Sequence, residues 1–259
     1  MLNELNEAGK KIGLRINRKK TQFMKNPWCE GDEVKLDGSL ITETTSYVYL
    51  GRSMNMENNM KEELCRRRRA AWAVFEPLKE ATDHLSDPIL RAHLFDSTVL
   101  PALCYAAETW TVTSTTSGIL RTTHRALERS LLKYNRLTQH QAGMRSSDLR
   151  KISHLRDPGE FCSRAKHRWA GHVIRRTDDR WSKRTIEWSP RDHKRPRGRP
   201  PTRWADVFTT QIKQRYMPLQ TFSRYETRTR HHARRMPPPC TTITRERNEW
   251  AMCWDPHHT

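Results

Sequence analysis

The side chains here whose type and spacing could do chemistry are mostly cations, and the chemistry they fit is the holding of phosphates. Arg18, Lys19 and Lys20 form a basic turn between two apolar stretches. Arg66, Arg67, Arg68 and Arg69 are consecutive. On a helix they circle a full turn, so at least two of them must face solvent or a partner. That run reads either as a solvated helix face or as a rail of phosphate contacts. Residues 194–201, KRPRGRPP, form the third group. Its prolines keep the backbone extended, and Gly198 allows close approach to a surface that a Cβ would block. Lys194, Arg195, Arg197 and Arg199 then suit a narrow minor groove, whose negative potential attracts inserted arginines. The same segment also reads as a basic linker between helices.

Metal chemistry finds less support. Cys162, His167 and His172 are five residues apart, which turns each about 140° from the last on a helix, so they cannot share one face. His231, His232, Cys240, Cys253, His257 and His258 have no recognised ligand spacing. No metal site is assigned. The six cysteines include no CxxC pair and are expected to be free, mostly buried thiols of an intracellular protein.

The elements that must position these cations follow from periodicity and breakers. A short helix over residues 4–11 ends at Gly13, a C′ glycine. Leu14 and Ile16 alternate with polar residues as on a half-buried strand, and residues 21–24 suggest a second. Residues 33–41 read as a hairpin about Asp37 and Gly38, the strongest short turn signal in the chain. Residues 46–50 are an aromatic-rich strand. A long helix covers 58–81, with Met60, Leu64, Ala71, Phe75 and Leu78 on one face. Asp87 and Pro88 open the next helix, which Pro101 is expected to interrupt. Glu108, among apolar residues, reads as a buried carboxylate tying two helices together, or as simply exposed. Residues 116–134 form a third helix with Leu120, His124, Leu127 and Leu131 inward; His124 is expected to be a packed histidine. Beyond Gly143, Ser146 and Ser147 cap a short helix. A helix over 157–176 follows, with Phe161, Ala165, Trp169, His172 and Val173 inward and Lys166 among its basic positions. Asp178 and Asp179 cap a further short helix, Thr202 caps one to about residue 216, and residues 245–254 form a last one around Trp250.

The formal net charge of the 259 residues is +19. By count, residues 1–56 contribute +2, residues 57–145 contribute +3, and residues 146–259 contribute +14. A field of that sign attracts a phosphate polymer through counterion release. No run approaches the roughly 18 apolar residues of a membrane span, and the first residues lack the apolar core of a signal peptide.

The stretch GLRINRKKT at 13–21, a hairpin, and then YVYLG at 47–51 resemble the end of the palm in a non-LTR retrotransposon reverse transcriptase of the RTE clade, motifs D and E. The likeness continues through AAWAVFEPLKE and LFDSTVLPALCYAAETW, similar to the thumb, and through HRWAGHVIRRTDDRW and RPRGRPPTRWAD, similar to the basic tail. The resemblance implies that Lys20 is the motif D lysine near the incoming nucleotide's phosphates. It implies that Tyr49, Leu50 and Gly51 belong to the primer grip. The aspartates that hold two Mg²⁺ ions in the intact enzyme lie upstream in such proteins, and none is expected here.

The expected fold is α+β and predominantly α. It comprises a small antiparallel palm remnant over 1–56, a thumb-like helical bundle over 57–145, and a basic helical region with loops over 146–259. The expected partner is nucleic acid, either an RNA template with its DNA primer or duplex DNA, met inside the cell and in the nucleus. Arg66, Arg67, Arg68, Arg69, Lys194, Arg195, Arg197, Gly198 and Arg199 are the candidate contacts. Two other readings stand beside a reverse transcriptase fragment that retains template–primer binding. One is a non-catalytic nucleic-acid-binding protein with an AT-hook-like segment; the other is a relic reading frame without selected function.

Overall fold

A computed structural model describes residues 1–26, 29, 31, 33–176, 181, 202, 204–208 and 250. The readings at 178–180, 182–201, 209–249 and 251–254, including Lys194, Arg195, Arg197, Gly198 and Arg199, lie outside the described residues. The fold is α+β and mostly helical, with three small two-stranded sheets among the described residues. The chain divides into two compact units, Met1–Arg66 and Arg67–Thr259.

In the first unit, helix α1 (Leu2–Lys11) ends in a Schellman motif. Gly13 sits at φ +79°; its N–H reaches Lys10 O at 3.1 Å, and Leu14 N–H reaches Gly9 O at 2.9 Å. This closure also explains why no strand forms at Leu14 and Ile16. Leu14 has given its N–H to the helix end, and Asn17 gathers the next turn, its Oδ1 accepting from the N–H groups of Lys19 and Lys20. The backbone groups a ladder would need are taken locally.

Six short strands follow: β1 (Gln22–Phe23), β2 (Lys35–Leu36), β3 (Ser39–Leu40), β4 (Thr42–Glu43), β5 (Ser46–Tyr49) and β6 (Arg52–Asn55). β2 and β3 form the expected hairpin, with Asp37 at φ 49° and Gly38 at φ 75°, both left-handed as a type I′ turn requires. β5 and β6 form a second hairpin about Leu50 and Gly51. The sheet expected to be wholly antiparallel is not: β1 pairs with β4 in parallel. That is the geometry available when the chain returns past the intervening β2–β3 hairpin. The buried apolar residues of this unit among those described are few, Leu36, Ile41 and Leu64. Asn6 is buried and donates to Asp37 Oδ2 at 2.9 Å.

Helix α2 (Lys61–Asp83) carries the division between the units, between Arg66 and Arg67. Beyond it come α3 (Pro88–Leu103), a 3-10 turn at Ala107–Thr109, α4 (Ser114–Leu131), α5 (Arg136–Gln141), α6 (Ser146–Ser153) and α7 (Pro158–Ile174). Asp87 caps α3 from its side chain, as its sequence signalled. Pro101 does not break that helix. It lies in the last turn, where it removes one hydrogen bond, and Val99, Leu100 and Leu103 around it are fully buried. Their burial, at about 1.5–3 kcal/mol each, outweighs the cost of the proline.

The bundle core runs through an aromatic chain of edge-on contacts: Trp72 to Phe75, Phe75 to Phe95, and Phe95 to His124. Leu120, Leu127 and Leu131 are buried on the same face of α4 as His124. His124 is packed, as expected, and burial lowers its pKa from 6.5 to about 4.

The carboxylate that ties helices together is Glu128, not Glu108. Glu128 is 1% exposed and accepts from Arg150 Nε at 2.8 Å and Ser153 Oγ at 2.6 Å, joining α4 to α6. What Glu108 contributes is its backbone oxygen, which accepts from Trp204 Nε1 at 2.6 Å. Ser146 and Ser147 are the first residues inside α6 rather than its cap, which is Arg145. The inward face of α7 is Cys162, Lys166, Ala170 and Val173 with His167 and Gly171, one position along from the expected stripe; Trp169 and His172 are exposed. The shift follows from Lys166, whose Nζ is buried and donates to Trp110 O at 3.0 Å beneath the rings of Trp204 and Phe208. Burial lowers its pKa from 10.5 to about 8. Trp250 closes this end, its Nε1 donating to His167 O at 2.8 Å. Gly171 is required there, since any Cβ would come within 2.6 Å of that indole nitrogen. The described cysteines are all free; Cys104 and Cys162 are buried, Cys29 and Cys65 exposed.

Candidate nucleic-acid interface

The arginine run is sorted by its position on α2. Arg66 pairs with Glu63 at 3.2 Å and donates to Gly51 O at 3.2 Å. Glu63 itself is buried and accepts from Ser53 N–H at 2.7 Å. Arg67 is buried, its guanidinium 4.9 Å from the Tyr105 ring centroid. Arg66 and Arg67 therefore have structural partners, while Arg68 and Arg69 are exposed.

Arg68 and Arg69 line a groove of about 520 Å³ with Trp72, Thr122, Thr123, Ala126 and Arg136. Three guanidiniums share this concavity, and no carboxylate among the described residues lines it. Arg136 is the first residue of α5, a helix the periodicity did not reveal because it is six residues long. The legible signal was its capping box, in which Asn135 and Thr138 bond each other's backbone N–H at 2.8 and 2.9 Å. Crowding by like charge reaches Arg129, whose pKa is lowered by burial first and by Arg136 next.

A second concavity of about 290 Å³ is lined by Arg121, Arg125, Ser146, Ser147, Arg150 and Asp157. Asp157 partly neutralises it, lying 3.5 Å from Arg150 and 3.9 Å from Arg121. Arg121 and Arg125 stand four apart on α4 and so share a face. Thus α4 carries a basic concavity on each side: Thr122, Thr123 and Ala126 face one, Arg121 and Arg125 the other.

In the first unit, Lys20 is exposed at the turn that Asn17 organises. Tyr49 and Leu50 are exposed at the tip of the β5–β6 hairpin, Leu50 at 76% and at φ 48°. A left-handed Leu is costly, by about 1–2 kcal/mol, and this one occupies the first central position of the β5–β6 turn, where a positive φ closes the hairpin. Tyr47, Val48, Met54 and Met56 add exposed apolar surface around it.

Magnesium in two-ion sites needs clustered carboxylates. Among the described residues no group of three or more His, Cys, Asp or Glu side chains could hold a metal ion. The described residues do not fit an Mg²⁺ pair. Among the described residues no helix is long and apolar enough to cross a membrane.

The fold and site thus define a mostly helical, strongly basic protein with two arginine-lined concavities about one helix. Over 254 residues the chain is 38% identical to an uncharacterized transposon-derived protein of Caenorhabditis elegans, covering 96% of this chain and 86% of that one. The chain belongs to this family of transposon-derived proteins. No family model matches it, and no solved structure does.

Proposed function

We propose that this transposon-derived chain is the nucleic-acid-gripping part of a non-LTR retrotransposon reverse transcriptase. In this reading residues 1–56 are the end of a palm, residues 57–145 a thumb, and residues 146–259 a basic nucleic-acid-binding region. Its ligand is an RNA template with DNA primer, or duplex DNA. Lys20 lies near the incoming nucleotide, and Tyr49, Leu50 and Gly51 contact the primer. The Mg²⁺ chemistry belongs to carboxylates of the intact parent.

The observation that carries the binding half of this reading is the groove of Arg68, Arg69 and Arg136, with no acid among the described residues of its lining. Guanidinium is a fixed cation with five donors and no acceptor, a geometry that matches phosphate oxygens. Three such groups in one acid-free concavity call for an anionic partner. The transposon kinship supports a nucleic-acid substrate, and the +14 carried by residues 146–259 supplies the long-range attraction. The reading is tested by the salt dependence of binding to primed RNA and to duplex DNA, with and without the three arginines. Binding that ignores salt refutes it.

A further inference from the structure

The α2–α4 groove holds more than cations. Phosphate contacts alone need no aromatic wall, yet Trp72 forms part of the lining of this open groove of about 520 Å³. Trp72 is half-buried and fixed by an edge-on contact with the fully buried Phe75, centroids 5.7 Å apart at 85°. The threonines opposite have spent their hydroxyl protons. Thr122 Oγ1 donates to Gly118 O at 2.8 Å and Thr123 Oγ1 to Ile119 O at 3.0 Å. What they offer the groove is acceptor lone pairs, suited to the exocyclic amine of a base or to a ribose hydroxyl.

We propose that this groove receives one unpaired nucleotide, its base stacked on Trp72 and its flanking phosphates held by Arg68, Arg69 and Arg136. A paired base has both faces covered by its neighbours, whereas an unpaired one offers a free π-face to an aromatic side chain. The groove therefore selects a single-stranded segment, overhang or bulge over continuous duplex. This rests on the nucleic-acid reading above and adds to it which structural state of the strand is recognised. Nothing in the lining separates DNA from RNA except the threonine acceptors, so both are tested.

The experiment uses the full chain and labelled oligonucleotides of identical sequence, fully paired or carrying a single unpaired 2-aminopurine, in DNA and RNA forms. Stacking quenches 2-aminopurine fluorescence, and anisotropy reports affinity. The expected result is quenching on binding in at least one form. Trp72→Ala is expected to weaken binding of the unpaired form about 5- to 150-fold, with little effect on the fully paired form. Trp72→Phe is expected to restore most of the loss and the quenching. If Trp72→Ala does not fold, wild type and Trp72→Phe decide alone: absence of quenching in both forms overturns the proposal. Equal affinity for paired and unpaired forms, unchanged by Trp72→Ala, also overturns it. Salt-dependent binding without quenching overturns only the nucleotide site. Loss of salt-dependent binding to every form overturns the nucleic-acid reading beneath it, and this proposal with it.

Discussion

Removing Arg68, Arg69 and Arg136 together gives the sharpest test of the interface. All three are exposed, none has a carboxylate partner among the described residues, and two lie inside α2, where alanine is the best helix former, so the Arg→Ala triple variant should keep its fold. If each guanidinium neutralises one phosphate, the slope of log K against log salt falls by about 2.7 for duplex DNA and about 2.1 for a single strand. Between 50 and 200 mM salt, wild type should therefore lose about 40-fold more affinity for duplex than the variant, and about 18-fold more for a single strand. Anisotropy titrations at four or five salt concentrations measure this directly. The control removes three other arginines, Arg91, Arg168 and Arg176, which line neither concavity. Both variants lower the formal charge from +19 by three. If the two slopes fall equally, binding follows the general field of the molecule, and the groove is not its seat.

Three further outcomes are expected. His124 is neutral and buried, with its pKa lowered from 6.5 to about 4. Between those values the unfolded chain binds a proton that the folded chain refuses, so stability falls as pH drops through that window, by up to ~3 kcal/mol. Denaturant titrations at pH 7 and pH 4.5 should show the loss, and His124→Phe should flatten that part of the profile; an unchanged profile refutes it. Leu50→Asn relieves a left-handed leucine at the β5–β6 tip and should raise stability by about 1 kcal/mol in thermal unfolding. A lower midpoint would mean that the tip is not strained. Finally, the purified chain should incorporate no labelled dNTP on primed RNA, and incorporation by nuclease-free protein would overturn the assignment of catalysis to the parent's carboxylates.

Local rules were legible where the backbone chemistry is local. Gly13 as a C′ glycine, the Asp37–Gly38 turn and the Asp87 cap each depend on a few neighbouring residues, and each took the form its residues dictate. The charge asymmetry was likewise plain, because composition needs no folding. What sequence could not decide was which members of a pattern find partners. Four consecutive arginines look equivalent, yet Glu63 and Tyr105 engage two of them and leave two exposed. Glu108 and Glu128 are both acidic residues among apolar ones, and only the approach of α6, bringing Arg150 and Ser153, chose Glu128. Lys166 read as one basic position among several on its helix, and only the fold gave it the Trp110 carbonyl and two rings over its ammonium. Arg136 joined Arg68 and Arg69 through a helix too short to show a period. Sequence by itself determined the sign of the charge and the local turns and caps. Tertiary structure decided which charges are buried, paired or left facing one groove, because desolvation and pairing energies exist only once distant segments meet.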